Sequence, residues 1–157
     1  MNLLASIKEI LQKKVPVSAD KPIAESYDIW SGSYDAQPGN LMLHLDEIIF
    51  SLLIKDIQIQ NKNIADIGCG TGRHWQKLYG MVPAELTGYD VSAGMLKELS
   101  KKFPSAITRQ INDNLLTETN TASVDCIIST LTIAHINNPE EAIAAWSRIL
   151  KQDGDVI

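Results

Sequence analysis

Ile64-Ala-Asp-Ile-Gly-Cys-Gly-Thr-Gly-Arg73 is the stretch of sequence that decides the fold. A short apolar run comes first, glycine then takes every second position, and a polar pattern with helical spacing follows. This order predicts a strand that turns sharply into a helix. Because glycine has no Cβ, Gly68, Gly70 and Gly72 allow a tight turn and let a ligand approach the main-chain amides. The stretch therefore predicts a nucleotide-type binding site.

The spacing of these glycines distinguishes between nucleotide ligands. Dinucleotide-binding turns use G-x-G-x-x-G and place a pyrophosphate at a helix N-terminus. Here the spacing is G-x-G-x-G, and Asp66 stands two residues before the first glycine. A carboxylate there repels a pyrophosphate but attracts a ligand that carries an ammonium group and a sulfonium. At this point the chain resembles the class I S-adenosylmethionine-dependent methyltransferases, whose motif (D/E)-x-G-x-G-x-G is matched by Asp66-Ile-Gly-Cys-Gly-Thr-Gly72.

Length and composition predict one globular domain. The chain has 157 residues, 45% of them hydrophobic, and a formal net charge of −5. The acidic balance and the scattered Lys and Arg argue against a nucleic-acid partner. The two cysteines, Cys69 and Cys126, give neither a disulfide framework nor a metal-ligand spacing, so no metal site is predicted. No run resembles a signal peptide or a membrane span, so we expect a cytoplasmic protein without a membrane partner.

Strands alternate with helices along the chain. The predicted strands cover residues 63–67, 85–89, 105–110 and 124–129, with a fifth at 156–157, and the predicted helices cover 41–55, 71–79, 92–102 and 138–150. This alternation predicts right-handed crossovers and a parallel sheet. Together with the resemblance it predicts an α/β fold, a Rossmann-like three-layer αβα methyltransferase fold with a mainly parallel sheet. Members of that family are expected to have seven strands, so the chain is expected to lack the C-terminal ones.

The sequence ahead of the glycine stretch has its own character. Residues 2–14 place apolar side chains at helical spacing and predict an amphipathic helix, which packs on its own domain or serves as a lid or a dimer contact. We expect a single methyltransferase domain over residues 1–157, with N-terminal helices and a cap in 1–60 and the cofactor-binding core in 61–157. The dipeptide Tyr-Asp occurs twice, at 27 and at 34. Tyr27, Trp30 and Tyr34 either cover the cofactor, where a ring favours the sulfonium, or anchor a loop to the core.

Polar residues follow the predicted strands, whose carboxyl ends form the ligand-binding edge of such a sheet. Asp90 closes the second strand, and a carboxylate there can accept hydrogen bonds from both hydroxyl groups of a ribose. Residues 90–96 match the family pattern D-x-S-x-x-M-L, and the resemblance implies that Met95 lies against the adenine. Beyond the third strand, the resemblance implies that Asp113 accepts the adenine amino group, with Asn114 close by.

The segment Ser129-Thr-Leu-Thr-Ile-Ala-His-Ile136 ends the fourth strand and is expected to face both cofactor and substrate. His135 is a candidate general base, because imidazole ordinarily exchanges a proton near neutral pH. Many family members, however, carry a histidine at this position, and its role is not the same throughout the family. Arg73 is a candidate for binding the methionine carboxylate, with a surface position as the alternative. The predicted cofactor-binding residues are Asp66, Gly68, Cys69, Gly70, Thr71, Gly72, Arg73, Asp90, Val91, Met95, Asp113, Asn114, Thr130, Tyr27 and Tyr34.

The resemblance implies in-line transfer of a methyl group from S-adenosylmethionine to a small-molecule acceptor. One alternative is a binding or regulatory protein that keeps the cofactor pocket without turnover. Another is an NAD-dependent oxidoreductase, which the glycine spacing disfavours. Without further strands, the fourth or fifth strand would be an open edge, and we expect self-association through it.

Overall fold

The computed structural model describes residues 22–113 and 115–157, so Asn114 and the helix predicted over 2–14 lie outside the described residues. Within them, five parallel strands form one sheet in the order β3-β2-β1-β4-β5. The strands are β1 Asn63–Ile67, β2 Glu85–Asp90, β3 Ile107–Gln110, β4 Val124–Ile128 and β5 Leu150–Val156. The direction of winding reverses between β1 and β4, and ligands of open parallel sheets bind at such a point. The predicted fold class is confirmed.

Helices cover both faces of this sheet. They are α1 Ile23–Trp30, α2 Leu41–Leu53, α3 Trp75–Gly80, α4 Ala93–Lys102 and α5 Pro139–Ile149, with short 3-10 turns at Ser31–Ser33, Ile54–Asp56 and Ile133–His135. Side chains at the starts of three helices explain where they begin. The side chain of Asn40 accepts hydrogen bonds from the backbone amides of Met42 and Leu43. Likewise, the side chain of Ser92 accepts one from the amide of Met95, and that of Asn138 accepts one from the amide of Glu141. These caps satisfy amides that have no partner within the helix.

The core divides into two clusters because β1 is buried on both faces. Ile64 belongs to one cluster with Phe50 of α2, Trp75 of α3 and other residues. Ala65 and Ile67 belong to the other, with Ala142, Trp146 and Ile149 of α5. The alternation of side chains along the strand therefore places three helices on one face and one helix on the other, as a three-layer αβα fold requires.

Several predicted boundaries are wrong. The third strand begins at Ile107 and not at residue 105, and α2 ends at Leu53 and not at residue 55. The fifth strand begins at Leu150, directly after α5, and not at residue 156. Its pairing with β4 steps from Val124 opposite Leu150 to Cys126 opposite Asp155, so an irregularity separates the two ends of the strand. The helix after the glycine loop begins at Trp75 instead of Thr71, because Gly70 and Gly72 have positive φ angles that no α-helix can include.

Apolar side chains remain exposed on the outer face of α2. They are Leu41, Met42, Leu45, Ile48, Ile49, Leu52 and Leu53, each at least 42% exposed. The opposite face carries Phe50, which is 1% exposed. α2 therefore packs on the domain through one face only. Among the described helices none has the length and apolar character that crossing a bilayer requires.

Candidate cofactor site

A cleft opens at the carboxyl ends of β1, β2 and β4, where the strand order reverses. It encloses about 640 Å³ of space, which includes open solvent at its mouth. Nine of the sequence-predicted residues line it: Tyr27, Tyr34, Gly68, Gly70, Asp90, Val91, Met95, Thr130 and His135. A smaller side pocket shares Tyr34, Gly68, Gly70 and Thr130 with the cleft, and adds Asp66, Cys69, Thr71 and Arg73 from the predicted set. The fold thus brings together predicted residues from four separate segments.

The three glycines of the loop have different roles. Gly68 has a φ of +72°, and a Cβ there would lie 2.8 Å from the Cβ of Thr132, so the loop can pack against that residue only with glycine. Gly70 has a φ of +53°, and a Cβ there would meet nothing within 4 Å, so its backbone borders open space. Gly72 instead faces Leu99 and Trp75, at 3.0 and 3.2 Å from a hypothetical Cβ. Gly72 is therefore a packing residue, and neither pocket includes it.

Asp66 lies buried beneath the loop. Its Oδ2 accepts a hydrogen bond from the indole N–H of Trp75 at 2.7 Å. Burial raises the pKa of Asp66 to about 7, and the negative charges of Asp90 and Asp46 add to the rise, whereas the bond from Trp75 opposes it. Within residues 22–113 and 115–157, Trp75 is the one donor to Asp66 and no cation pairs with it. Such a buried acid favours a ligand that brings a positive charge to the side pocket.

Asp90 joins the loop to the next helix. Its Oδ2 accepts from the amide of Gly70 at 2.8 Å, and its Oδ1 accepts from the amide of Ser92 at 2.8 Å. Burial raises the pKa of Asp90, and these amides counteract the rise. Met95, one turn into α4, is 1% exposed and lines the same cleft. The carboxylate is therefore fixed in orientation at the wall of the cleft.

Asp113 and Arg73 do not line the cleft itself. Asp113 lies in an adjoining depression that shares Val91 and His135 with the cleft, and its carboxylate accepts from the amide of Leu115 at 2.9 Å. Arg73 borders the side pocket, but its guanidinium donates to the carbonyl of Leu43 at 2.9 Å and pairs with Asp46. These bonds tie the end of the glycine loop to α2. Contacts of either residue with a cofactor remain predictions.

The aromatic side chains of the cap, residues 22–40, form one cluster. The ring centroids of Trp30 and Tyr34 are 5.0 Å apart, and those of Tyr27 and Tyr34 are 6.3 Å apart. Tyr27 and Tyr34 also line the cleft, whereas Trp30 does not. The rings therefore pack on one another, and two of them face the cleft. That they cover a cofactor stays a prediction.

His135 meets the cap from the other side of the cleft. Its Nε2 lies 3.0 Å from the hydroxyl oxygen of Tyr27, and the two rings meet edge to face with centroids 5.6 Å apart. Burial raises the pKa of Tyr27, and the charges of Tyr34 and Asp90 raise it further. Tyr27 is therefore a neutral phenol at neutral pH, able to donate to an imidazole nitrogen.

Sequence reasoning missed several residues of the site. The cleft also includes Ile23, Ile111, Leu131, Thr132 and Ile136. Three of these lie inside the segment that follows β4, which was expected to face the site as a whole. Leu131 has a φ of +55°, a strained conformation that tends to occur at functional sites. The acids of the two Tyr-Asp pairs were also missed, and their duplication was the available signal.

The chain belongs to the methyltransferase domain family, because the family model described as "Methyltransferase domain" matches residues 65–157. That range includes the glycine loop from Asp66 onward, Asp90, Met95 and His135. Solved methyltransferases, one of them described as S-adenosylmethionine-dependent, share the fold of the chain. The predicted resemblance to the class I S-adenosylmethionine-dependent methyltransferases is thereby confirmed. A search of curated proteins by sequence gives no match.

Solved structures resemble the chain in fold. An S-adenosylmethionine-dependent methyltransferase from Mesorhizobium loti has a TM-score of 0.59 and 19% identity, over 66% of this chain and 48% of that one. The cyclase SpnF has a TM-score of 0.70 and 16% identity, over 84% of this chain and 56% of that one. Phosphoethanolamine N-methyltransferase 1 of Haemonchus contortus was solved with phosphoethanolamine and S-adenosylhomocysteine. It has a TM-score of 0.64 and 19% identity, over 85% of this chain and 31% of that one. The chain thus spans between 31% and 56% of these three lengths.

Proposed function

We propose that this protein transfers a methyl group from S-adenosylmethionine to a small-molecule acceptor by in-line displacement. The observation that carries the proposal is the cleft itself. It brings the open backbone at Gly70, the buried carboxylate of Asp90 and the side chain of Met95 to one place, together with the Tyr27–His135 pair. When bound, the cofactor supplies an activated methyl carbon and S-adenosylhomocysteine as the leaving group.

The residues of the cleft and side pocket fit this cofactor part by part. Asp66 in the side pocket suits the ammonium group, and Asp90 suits the ribose hydroxyls. Met95 and Ile111 offer apolar surface to the adenine. Asp113 of the adjoining depression, with Asn114, is the proposed site of the adenine amino group. Two buried carboxylates beside the loop would repel the pyrophosphate of a dinucleotide. The charge of the site therefore favours a sulfonium cofactor over NAD.

Alignment is the main task of the protein in such a displacement, because the sulfonium is already activated. The Tyr27–His135 pair is the proposed meeting point of acceptor and donor, because it lines the same cleft as Gly70, Asp90 and Met95. His135 is the proposed general base for an acceptor whose nucleophile carries a proton, with Tyr27 holding the imidazole in position. An acceptor that is already deprotonated would need only the alignment.

The proposal includes the setting of the protein. The net charge of −5 argues against a nucleic-acid partner, and no membrane partner is proposed. The two cysteines are buried free thiols, which suits a reducing compartment such as the cytoplasm. In the described part of the chain, β3 and β5 each pair with one neighbour only. Such open edges support self-association of this chain.

Calorimetry and a transfer assay test the proposal together. Titration of the protein with S-adenosylhomocysteine and, separately, with NAD is expected to give binding of the thioether only. Binding of NAD without binding of the thioether would instead indicate an oxidoreductase. A scan of metabolites with cofactor labelled in the methyl group is then expected to yield a labelled product. Cofactor binding without transfer to any acceptor would favour a regulatory protein.

A further inference from the structure

The first Tyr-Asp pair of the cap contacts the loop that follows β2. Oδ1 of Asp28 accepts from the hydroxyl of Ser92 at 2.6 Å and from the amide of Gly94 at 2.7 Å. Both donors belong to the start of α4, where free amides and the helix dipole favour a carboxylate. The side-chain bond from Ser92, followed by the amide of Gly94, lowers the pKa of Asp28. An acid of the cap therefore holds the helix that carries Met95.

The second Tyr-Asp pair contacts the glycine loop. Oδ1 of Asp35 accepts from the hydroxyl of Thr71 at 2.7 Å, and its Oδ2 accepts from Nζ of Lys102 at 2.9 Å. Thr71 is 1% exposed, so its hydroxyl has a fixed position between Gly70 and Gly72. Each pair thus has the same division of roles. The tyrosine lines the cleft, and the aspartate holds one of the two loops that form its floor.

Both contacts lead to Asp90. Ser92, held by Asp28, donates its amide to Asp90, and Gly70, next to the Thr71 held by Asp35, donates its amide to the other carboxylate oxygen. The cap, the two loops and the proposed ribose-binding acid therefore form one hydrogen-bonded network. Movement of the cap away from the cleft would break its links to both loops.

Building on the proposed function, we infer that Asp28 and Asp35 are positioning residues that fasten the cap over the bound cofactor. They hold Tyr27 and Tyr34 against the cleft, and they do so through the two loops that bind the cofactor. Cofactor that orders these loops strengthens the fastening, and the fastened cap slows the release of cofactor. Reciprocity of the two affinities is required when two binding events share one network. A higher affinity appears as slower release when the association rate is unchanged.

Gly94 gives an independent view of this contact. A Cβ at Gly94 would lie 2.8 Å from Oγ of Ser31 and 3.0 Å from Cα of Asp28. The cap backbone can therefore approach α4 closely only because this position is glycine. Alanine is a better helix former than glycine by roughly 1 kcal/mol, so Gly94→Ala is expected to lift the cap while α4 itself is retained.

The dissociation rate of S-adenosylhomocysteine from the 157-residue protein is the main measurement. Asp28→Ala, Asp35→Ala and Gly94→Ala are each expected to accelerate release roughly 5-fold to 150-fold, the usual range of coupling between two sites. Asp28→Asn and Asp35→Asn keep an acceptor oxygen and are expected to restore part of the retention. Asp56→Ala changes an exposed aspartate outside the cap and is the matched control.

Amide hydrogen exchange of the cofactor-free protein is the second measurement. The alanine variants are expected to raise exchange in residues 22–40 and to leave β1 and β4 protected. Unchanged release rates in a protein that binds the thioether would overturn the inference, as would unchanged exchange of the cap. A wild-type protein that does not bind the thioether would contradict the proposed function itself. In that case, the exchange data would still decide whether the two acids fasten the cap.

Discussion

The Asp90 carboxylate accepts the backbone N–H of Gly70, with 2.8 Å between nitrogen and Oδ2. The second oxygen accepts the amide of Ser92 at the same distance. One side chain at the end of β2 thereby fixes both the glycine loop after β1 and the start of α4. The geometry of the cleft depends on this acid before any ligand arrives.

Asp90→Ala is expected to weaken binding of S-adenosylhomocysteine by about 1–3 kcal/mol, because charge-assisted hydrogen bonds to a ribose would be lost. Isothermal calorimetry measures this difference directly. Asp90→Asn retains one acceptor oxygen, so its affinity for S-adenosylhomocysteine is expected to lie between those of Asp90→Ala and the wild type. An unchanged affinity in Asp90→Ala would remove this residue from the cofactor site.

Asp66 predicts how the stability of the cofactor-free protein depends on pH. Its folded-state pKa of about 7 lies above its ordinary value of 3.8, so the folded protein binds the proton more tightly than the unfolded chain. The stabilisation is complete below pH 4 and is lost as the pH rises through 7. Asp66→Asn keeps an acceptor for Trp75 but carries no charge. At pH 8 its free energy of unfolding is expected to exceed that of the wild type by up to about 4 kcal/mol. Urea titrations at several pH values measure the difference, and Asp56→Asn is the control.

The same acid predicts a pH dependence of cofactor binding. An ammonium group binds better to ionised Asp66, so the affinity for S-adenosylhomocysteine is expected to rise as the pH increases from 6 to 8. In Asp66→Asn this rise is expected to disappear. Calorimetry at three pH values decides the point, and an equal rise in both proteins would assign the effect to another group.

His135→Ala is expected to lower kcat by roughly 100-fold or more for an acceptor that must lose a proton, as is typical when a general base is removed. The affinity for cofactor is expected to change little. Raising the pH should restore part of the rate, because the acceptor then ionises without help. Methyl transfer to an identified acceptor gives the measurement, with His44→Ala on the exposed side of α2 as control. A rate equal to wild type would leave His135 without a catalytic role.

Gly68→Ala is expected to destabilise the fold by about 1–3 kcal/mol, because a Cβ in this left-handed conformation is strained and would clash with Thr132. Gly80→Ala is the matched control, since a Cβ there would meet nothing within 4 Å. Chemical denaturation compares the two. Equal stability of both variants would contradict the tight packing of the loop on Thr132.

Self-association of the 157-residue chain is expected to increase with concentration in sedimentation velocity experiments. Val156 on the edge strand β5 is 56% exposed, and Ile48 on α2 is 45% exposed. Val156→Lys is expected to shift the protein toward monomer, because a charge on an edge strand opposes pairing. If Ile48→Lys has that effect instead, the apolar face of α2 is the contact. A monodisperse wild-type monomer would refute self-association by either route.

Local signals determined much of this protein. The bounds of β1, the tight glycine turn and the capping residues Asn40, Ser92 and Asn138 follow from residues a few positions apart, since strand patterns, turns and caps are short-range physics. A family motif of equally short span predicted Asp90 and Met95 at the cleft, and the position of His135 after the fourth strand predicted that residue there.

Only the tertiary structure decided which distant residues meet. Asp35 finds Thr71 across 36 positions, and Asp28 finds Ser92 across 64. No local pattern specifies such partners, because they depend on the crossing of the cap over two loops. The same holds for Gly72, whose neighbour Leu99 comes from α4, and for Asp113, which the path of its loop places beside the cleft wall. Sequence by itself determined the elements and the chemistry of the cofactor loop, whereas packing decided how the cap, the loop and the helices combine into one site.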